Sequence, residues 1–271
     1  MRRAPKALPT LTGATALAAA LALTGCASAS VDAPTSATPP ASSSALAGSI
    51  TVYAAASLTT TFTDLADEFE RAHPGTSVEL TFAGSSDLVT QITEGAPADV
   101  VATADEKNMA KLTDAGLVGS AAPEDFATNV LTIAVPPSNP AGVTDFADLA
   151  KSDVKTVICA AQVPCGAATV EVEKATGVTI SPVSEEASVT DVLGKVTSGE
   201  ADAGLVYVTD VAAAGKSVTG IAVPEADQAV TTYPIAPVAD TDDADLARTF
   251  VDFVTGSTGQ GVLRAAGFGA P

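Results

Sequence analysis

The sequence predicts an α/β protein of two lobes, each a mostly parallel sheet flanked by helices. Short β-branched runs alternate with segments whose apolar residues recur at helical spacing. About ten such elements spread over roughly 220 residues, which suits two lobes better than one sheet. The chain has 271 residues, 46% hydrophobic and 17% charged, enough to bury a core and too apolar for disorder.

Residues 49–53 (SITVY) form a short strand, followed by the small-residue turn Ala54-Ala55-Ala56-Ser57. Over 58–71, Leu58, Phe62, Leu65, Ala66 and Phe69 fall on one helix face. Ser57 stands where an N-cap would, and His73-Pro74-Gly75 stops the helix. Residues 77–82 (SVELTF) alternate as a strand, and Gly84-Ser85-Ser86-Asp87 opens a helix that closes at Gly95. A strand at 98–103 and a helix at 106–115 complete a β-α-β-α-β-α order, which implies a parallel sheet with helices on both faces. The alternation continues with strand 130–135, short helix 146–150, strand 156–160, helix 167–176, helix 188–198 and strand 203–208. Strands 221–223 and 233–238 follow. Helices 245–255 and 259–266 end the chain, with Leu246, Phe250, Val251, Phe253 and Val254 turned inward.

Charge excludes several functions. Lys and Arg number 13 against 32 Asp and Glu, a formal net charge of −19. A phosphate backbone is bound through clustered cations that this chain lacks, so no nucleic-acid partner is expected. A polybasic membrane patch is absent for the same reason. His73 is the single histidine, which leaves a His-ligated zinc site or a Ser-His-Asp triad without its residues. His73 lies in the helix-stop tripeptide and is expected to be solvated. No G-x-S-x-G occurs. Asp99, Asp105, Asp202 and Asp210 show no calcium-loop spacing and read as turn and cap residues. A hydrolase working through paired acids such as Asp99 and Asp105 is the enzymatic alternative; no catalytic residue and no cofactor is expected otherwise.

The N-terminus reads as an address. Arg2, Arg3 and Lys6 precede an apolar run at 14–23, too short for a membrane-spanning helix and fitting a signal segment. It ends in Leu23-Thr24-Gly25-Cys26, which resembles the lipobox of bacterial lipoproteins. That resemblance implies removal of 1–25, lipidation of Cys26 and a protein held outside the cytoplasmic membrane by its lipid. Residues 26–47 are rich in Ala, Ser, Thr and Pro and read as a flexible tether. Cys159 and Cys165 then lie in an oxidising compartment, where a disulfide is favoured over two buried thiols. A metal site would need a third ligand that the neighbourhood lacks.

Ser57 and Ser85 share one design. Each sits at the C-terminal end of a strand and the start of a helix, where ligands collect in open α/β sheets. A helix N-terminus offers unpaired N–H groups and partial positive charge, which suits an anion. A plain N-cap explains either serine alone; two in consecutive units, beside Ala and Gly, favour a ligand. No Lys or Arg lies in either motif, so an anion here would be held by neutral dipoles. Asp87, the nearby acid, reads as a first-turn helix residue facing solvent.

The arrangement Ala54-Ala55-Ala56-Ser57-Leu58-Thr59 after a strand resembles the opening of periplasmic molybdate-binding proteins of ABC importers. Further matches follow in order: Phe82-Ala83-Gly84-Ser85-Ser86, Glu94-Gly95-Ala96-Pro97-Ala98-Asp99-Val100, Ala104-Asp105 and Val163-Pro164 with Gly166. Then come Ser188-Val189, Gly199 to Tyr207, Thr209-Asp210 and Tyr233-Pro234-Ile235, so the resemblance covers about 49–269. It implies a Venus-flytrap fold with a tetrahedral oxyanion, molybdate or tungstate, in the interlobe cleft.

Carried over motif by motif, the resemblance implies five contacts: the Ser57 and Ser85 turns, the Cys165 backbone, the Val189 backbone and the Tyr207 hydroxyl. Cys165 departs from the Ala usual in the family, which a backbone donor tolerates. Motif order places lobe 1 at 48–133 and 235–271 and lobe 2 at 134–234, with two crossings. The implied partners are the permease of an ABC importer and, through the lipid, the membrane; the chain is expected to be a monomer. Sulfate or phosphate in the same fold is the alternative cargo.

Overall fold

The structure is a computed structural model that describes residues 46–119 and 122–271. The expected leader 1–25, Cys26 and the tether through residue 45 lie outside the described residues. Leu46, expected in the tether, is half-buried against the first core.

Chain order lays down β1 (Gly48–Ala55), α1 (Thr59–Ala72), β2 (Thr76–Ala83), α2 (Ser85–Thr93), β3 (Val100–Ala102), α3 (Glu106–Asp114) and β4 (Glu124–Asn129). There follow β5 (Leu131–Val135), β6 (Thr156–Cys159), α4 (Pro164–Thr176), β7 (Ser184–Glu186), α5 (Val189–Ser198), β8 (Ala203–Tyr207), α6 (Val208–Ala214) and β9 (Thr219–Ala222). The chain ends in β10 (Thr231–Pro237), α7 (Ala244–Thr255) and α8 (Ser257–Ala265).

Two five-stranded sheets result, ordered β2-β1-β3-β10-β4 and β7-β6-β8-β5-β9. In the first, β1 pairs in parallel with β2 and β3, while β10 is antiparallel to β3 and β4. Four strands therefore run one way and β10 alone runs against them. The second sheet repeats this plan, with β5 antiparallel to β8 and β9. The reversed strands are the two by which the chain enters a sheet from the other one.

The exchanges fall at Val130 and between Ala222 and Thr231, not at the expected 133/134 and 234/235. Backbone hydrogen bonds commit each of β5 and β10 to a single sheet, so neither strand is divided between lobes.

Strand alternation sorts the cores. Along β1, Ile50, Val52 and Ala54 face a core with Phe62, Phe69, Phe126 and Phe250, whereas Tyr53 faces a separate one with Leu88, Ile92 and Leu112. The second sheet has its own core around Leu131, Ile133, Leu205 and Val206. Each side chain of α1 that the helical spacing placed inward is buried.

β4 (EDFATN), β7 (SEE) and α6 had no readable pattern. β4 and β7 are polar, and their strand state comes from backbone pairing beside β10 and β6. His73, expected in solvent, is half-buried, its ring centroid 4.5 Å from that of Phe69.

Candidate functional site

The C-terminal ends of β1, β2, β6, β7 and β8 each lead into a helical turn, and these turns meet between the lobes. They border a small cavity lined by Ala55, Ala56, Ser57, Gly84, Ser85, Ala104, Val163, Pro164, Cys165, Val189 and Tyr207. All five residues expected to touch a ligand border this one space, Ser57 and Ser85 from the first lobe and the others from the second.

Neither serine caps a helix. A 3₁₀ turn at Ala56–Leu58 precedes α1, and Leu58 holds its N-cap position without a side-chain hydrogen bond. Ser57 Oγ instead lies 3.0 Å from the Tyr233 hydroxyl. Gly84 is the N-cap of α2 and Ser85 its first residue. The Ala104 N–H donates to Ser85 Oγ at 3.0 Å, which leaves the serine hydrogen to donate elsewhere. Asp87 is exposed in the first turn of α2, as its position suggested.

The second lobe contributes helix starts. Val163, the N-cap of α4, makes no side-chain cap, and Pro164 at the first position has no N–H. Cys165 therefore carries the first amide of α4, one of the donors a helix leaves unpaired. Cys165 is bonded to Cys159, which ties this helix end to the end of β6. Val189 opens α5 behind Ser188, whose hydroxyl accepts the Asp191 N–H.

Tyr207 ends β8, and its buried hydroxyl has no hydrogen-bond partner among the described residues. Burial pushes its phenol far above the ordinary value, against the nearby Thr231 and Tyr233 hydroxyls, which lie outside hydrogen-bond geometry, and with the Asp210 and Asp105 carboxylates adding to the effect, so it remains an O–H donor. Asp210 accepts the Tyr207 N–H at 2.8 Å. Burial lifts the Asp210 carboxyl to about 7 against that hydrogen bond.

Among the described residues no charged side chain borders the cavity. Its chemistry is that of three hydroxyls and helix-start amides in a desolvated space, which suits a compact anion. No cluster of three or more His, Cys, Asp or Glu able to hold a metal ion occurs among the described residues. Asp99 accepts from the Thr51 N–H and the Thr241 hydroxyl, Asp105 caps α3, and Asp202 accepts the Lys155 N–H. These acids serve turns and caps. Sequence reasoning did not identify Asn129, whose amide donates to Thr209 Oγ1 at 2.8 Å and to the Tyr233 hydroxyl at 3.5 Å. Only its place at the end of a polar strand could have signalled it.

A profile of bacterial extracellular solute-binding proteins matches residues 50–269, and the chain belongs to that family. It is 47% identical over 225 residues to the molybdate-binding protein ModA of Mycobacterium tuberculosis H37Rv, covering 83% of this chain and 86% of that protein. The Escherichia coli K12 molybdate-binding protein ModA is 32% identical, over 82% of this chain and 89% of its own length. The fold matches the periplasmic molybdate-binding protein of Azotobacter vinelandii with a TM-score of 0.71 at 23% identity, over 82% of this chain and 99% of the other.

Proposed function

We propose that this protein captures molybdate, and also tungstate, in the interlobe cavity and delivers it to the permease of an ABC importer. The observation that carries this reading is the buried hydroxyl of Tyr207, a residue bordering the cavity, which has no hydrogen-bond partner among the described residues. A buried polar group of this kind costs about 1–3 kcal/mol unless something satisfies it. Molybdate does so: it is tetrahedral, fully deprotonated, offers only acceptors, and meets Ser57, Ser85, Cys165 N–H, Val189 N–H and Tyr207 as donors. The likeness to proteins named for molybdate binding supports the same cargo.

Both lobes supply donors, so ligand binding favours the closed arrangement over an open one. In this reading the lobes are 48–129 with 231–271, and 131–222. The protein acts as a monomer outside the cytoplasmic membrane, held by lipidated Cys26, with the leader 1–25 removed. It binds without turning its ligand over. Titration calorimetry against molybdate, tungstate, sulfate and hydrogen phosphate tests the cargo. One site for the first two supports the reading; none for either sinks it. Mass spectrometry of the membrane fraction tests the anchor, which is wrong if Cys26 carries no lipid.

A further inference from the structure

We propose that Asn129 and Tyr233 fix the direction of the Ser57 hydroxyl, so that Ser57 presents its hydrogen to the ligand. The proposal rests on the cavity being an oxyanion site.

The ordering begins where the chain leaves the first sheet. The Val130 N–H donates to Asn129 Oδ1 at 3.0 Å, which fixes the carboxamide and turns Nδ2 the other way. One Nδ2 hydrogen goes to Thr209 Oγ1 and the other to the Tyr233 oxygen. Facing a donor, Tyr233 must send its own hydrogen elsewhere. Ser57 Oγ, at 3.0 Å, is the remaining partner among the described residues. Ser57 therefore accepts from Tyr233, and its hydrogen is left for the cavity. Tyr233 does not lose its proton at physiological pH, because burial holds its phenol well above the ordinary range.

Ser85 needs no such device, since the Ala104 amide can only donate to it. A serine without a fixed neighbour is both donor and acceptor, and its hydrogen is not held toward the ligand. The Tyr233 ring packs edge-on against Phe126, Tyr207 and Phe268, a role that phenylalanine would fill equally well. The hydroxyl is what the ordering uses.

Tyr233→Phe removes one oxygen and keeps the ring. Dissociation constants for molybdate and tungstate should be measured by calorimetry on wild type, Tyr233→Phe, Ser57→Ala and the double variant. Tyr233→Phe is expected to weaken both anions about tenfold and to have no further effect once Ser57 is Ala. Unchanged affinity, or an undiminished effect of Tyr233→Phe in the Ser57→Ala background, would show that Tyr233 does not act through Ser57 and overturn the proposal. Wild-type protein that takes up neither molybdate nor tungstate overturns the cavity assignment and the proposal together.

Discussion

Removing the Tyr207 hydroxyl should move folding and binding in opposite directions. In the ligand-free protein the group is buried without a partner, so Tyr207→Phe is expected to raise the unfolding free energy by about 1 kcal/mol. The same change removes a charge-assisted donor and should weaken molybdate binding about ten- to a hundredfold. Denaturant melts and calorimetry on one variant check both signs, and a loss in both would mark Tyr207 as a core residue only. Asp210 adds a pH dependence. Its carboxyl titrates at about 7 in the fold against 3.8 in the unfolded chain, so the native state keeps a proton that the unfolded state has lost. The stability it contributes is complete below 3.8 and disappears as pH rises through about 7. Asp210→Asn should flatten the fall in unfolding free energy across that window, as read from denaturant melts at stepped pH. An unchanged slope would contradict the assignment. Ser57 and Ser85 were legible as candidates because strand-end, helix-start positions are local features. The groups that orient their hydroxyls were not, because Tyr233 lies 176 residues from Ser57 and nothing local pairs them.

At the scale of elements, Gly84 is where the lobes touch. A Cβ built there would lie 2.0 Å from the Ala187 carbonyl of the second lobe. Gly84 has φ −59°, a conformation any residue adopts, so the restriction comes wholly from across the cleft. Gly84→Ala should therefore reduce molybdate affinity at least about tenfold while changing folding stability by less than about 1 kcal/mol. Small-angle scattering should show a wider particle. Unaltered affinity and size would mean that closure does not need this contact.

The Cys159–Cys165 bond sits beside Gly166, where a Cβ would meet the Ala160 carbonyl at 2.0 Å, a contact within the same turn rather than across the cleft. The ring is short, so the chain-entropy contribution is roughly 2 kcal/mol. Replacing both cysteines with Ser should weaken molybdate binding more than it lowers the melting temperature, because the Cys165 amide loses its tether. Affinity held at the wild-type level would contradict that. The amphipathic helices were readable because each buries one face. β4 and β7 were not, because partner strands rather than their own side chains set their conformation.

The whole molecule is two copies of one plan, a five-stranded sheet with its entry strand reversed, joined by two crossings. The alternation of strands and helices made the two lobes legible. The crossing points were displaced by a few residues because sheet membership is decided by pairing, which no run of side chains encodes. At this scale the proposal is that helix starts and hydroxyls from both lobes jointly hold an oxyanion without a cation. Tungstate tests it most directly, because tungsten scatters anomalously and its position can be read without interpretation. In crystals grown with tungstate, one anomalous peak is expected in the cavity, within hydrogen-bond reach of Ser57, Ser85, Tyr207 and the Cys165 and Val189 amides. A peak located elsewhere, or one bordered by Lys or Arg side chains, would contradict it.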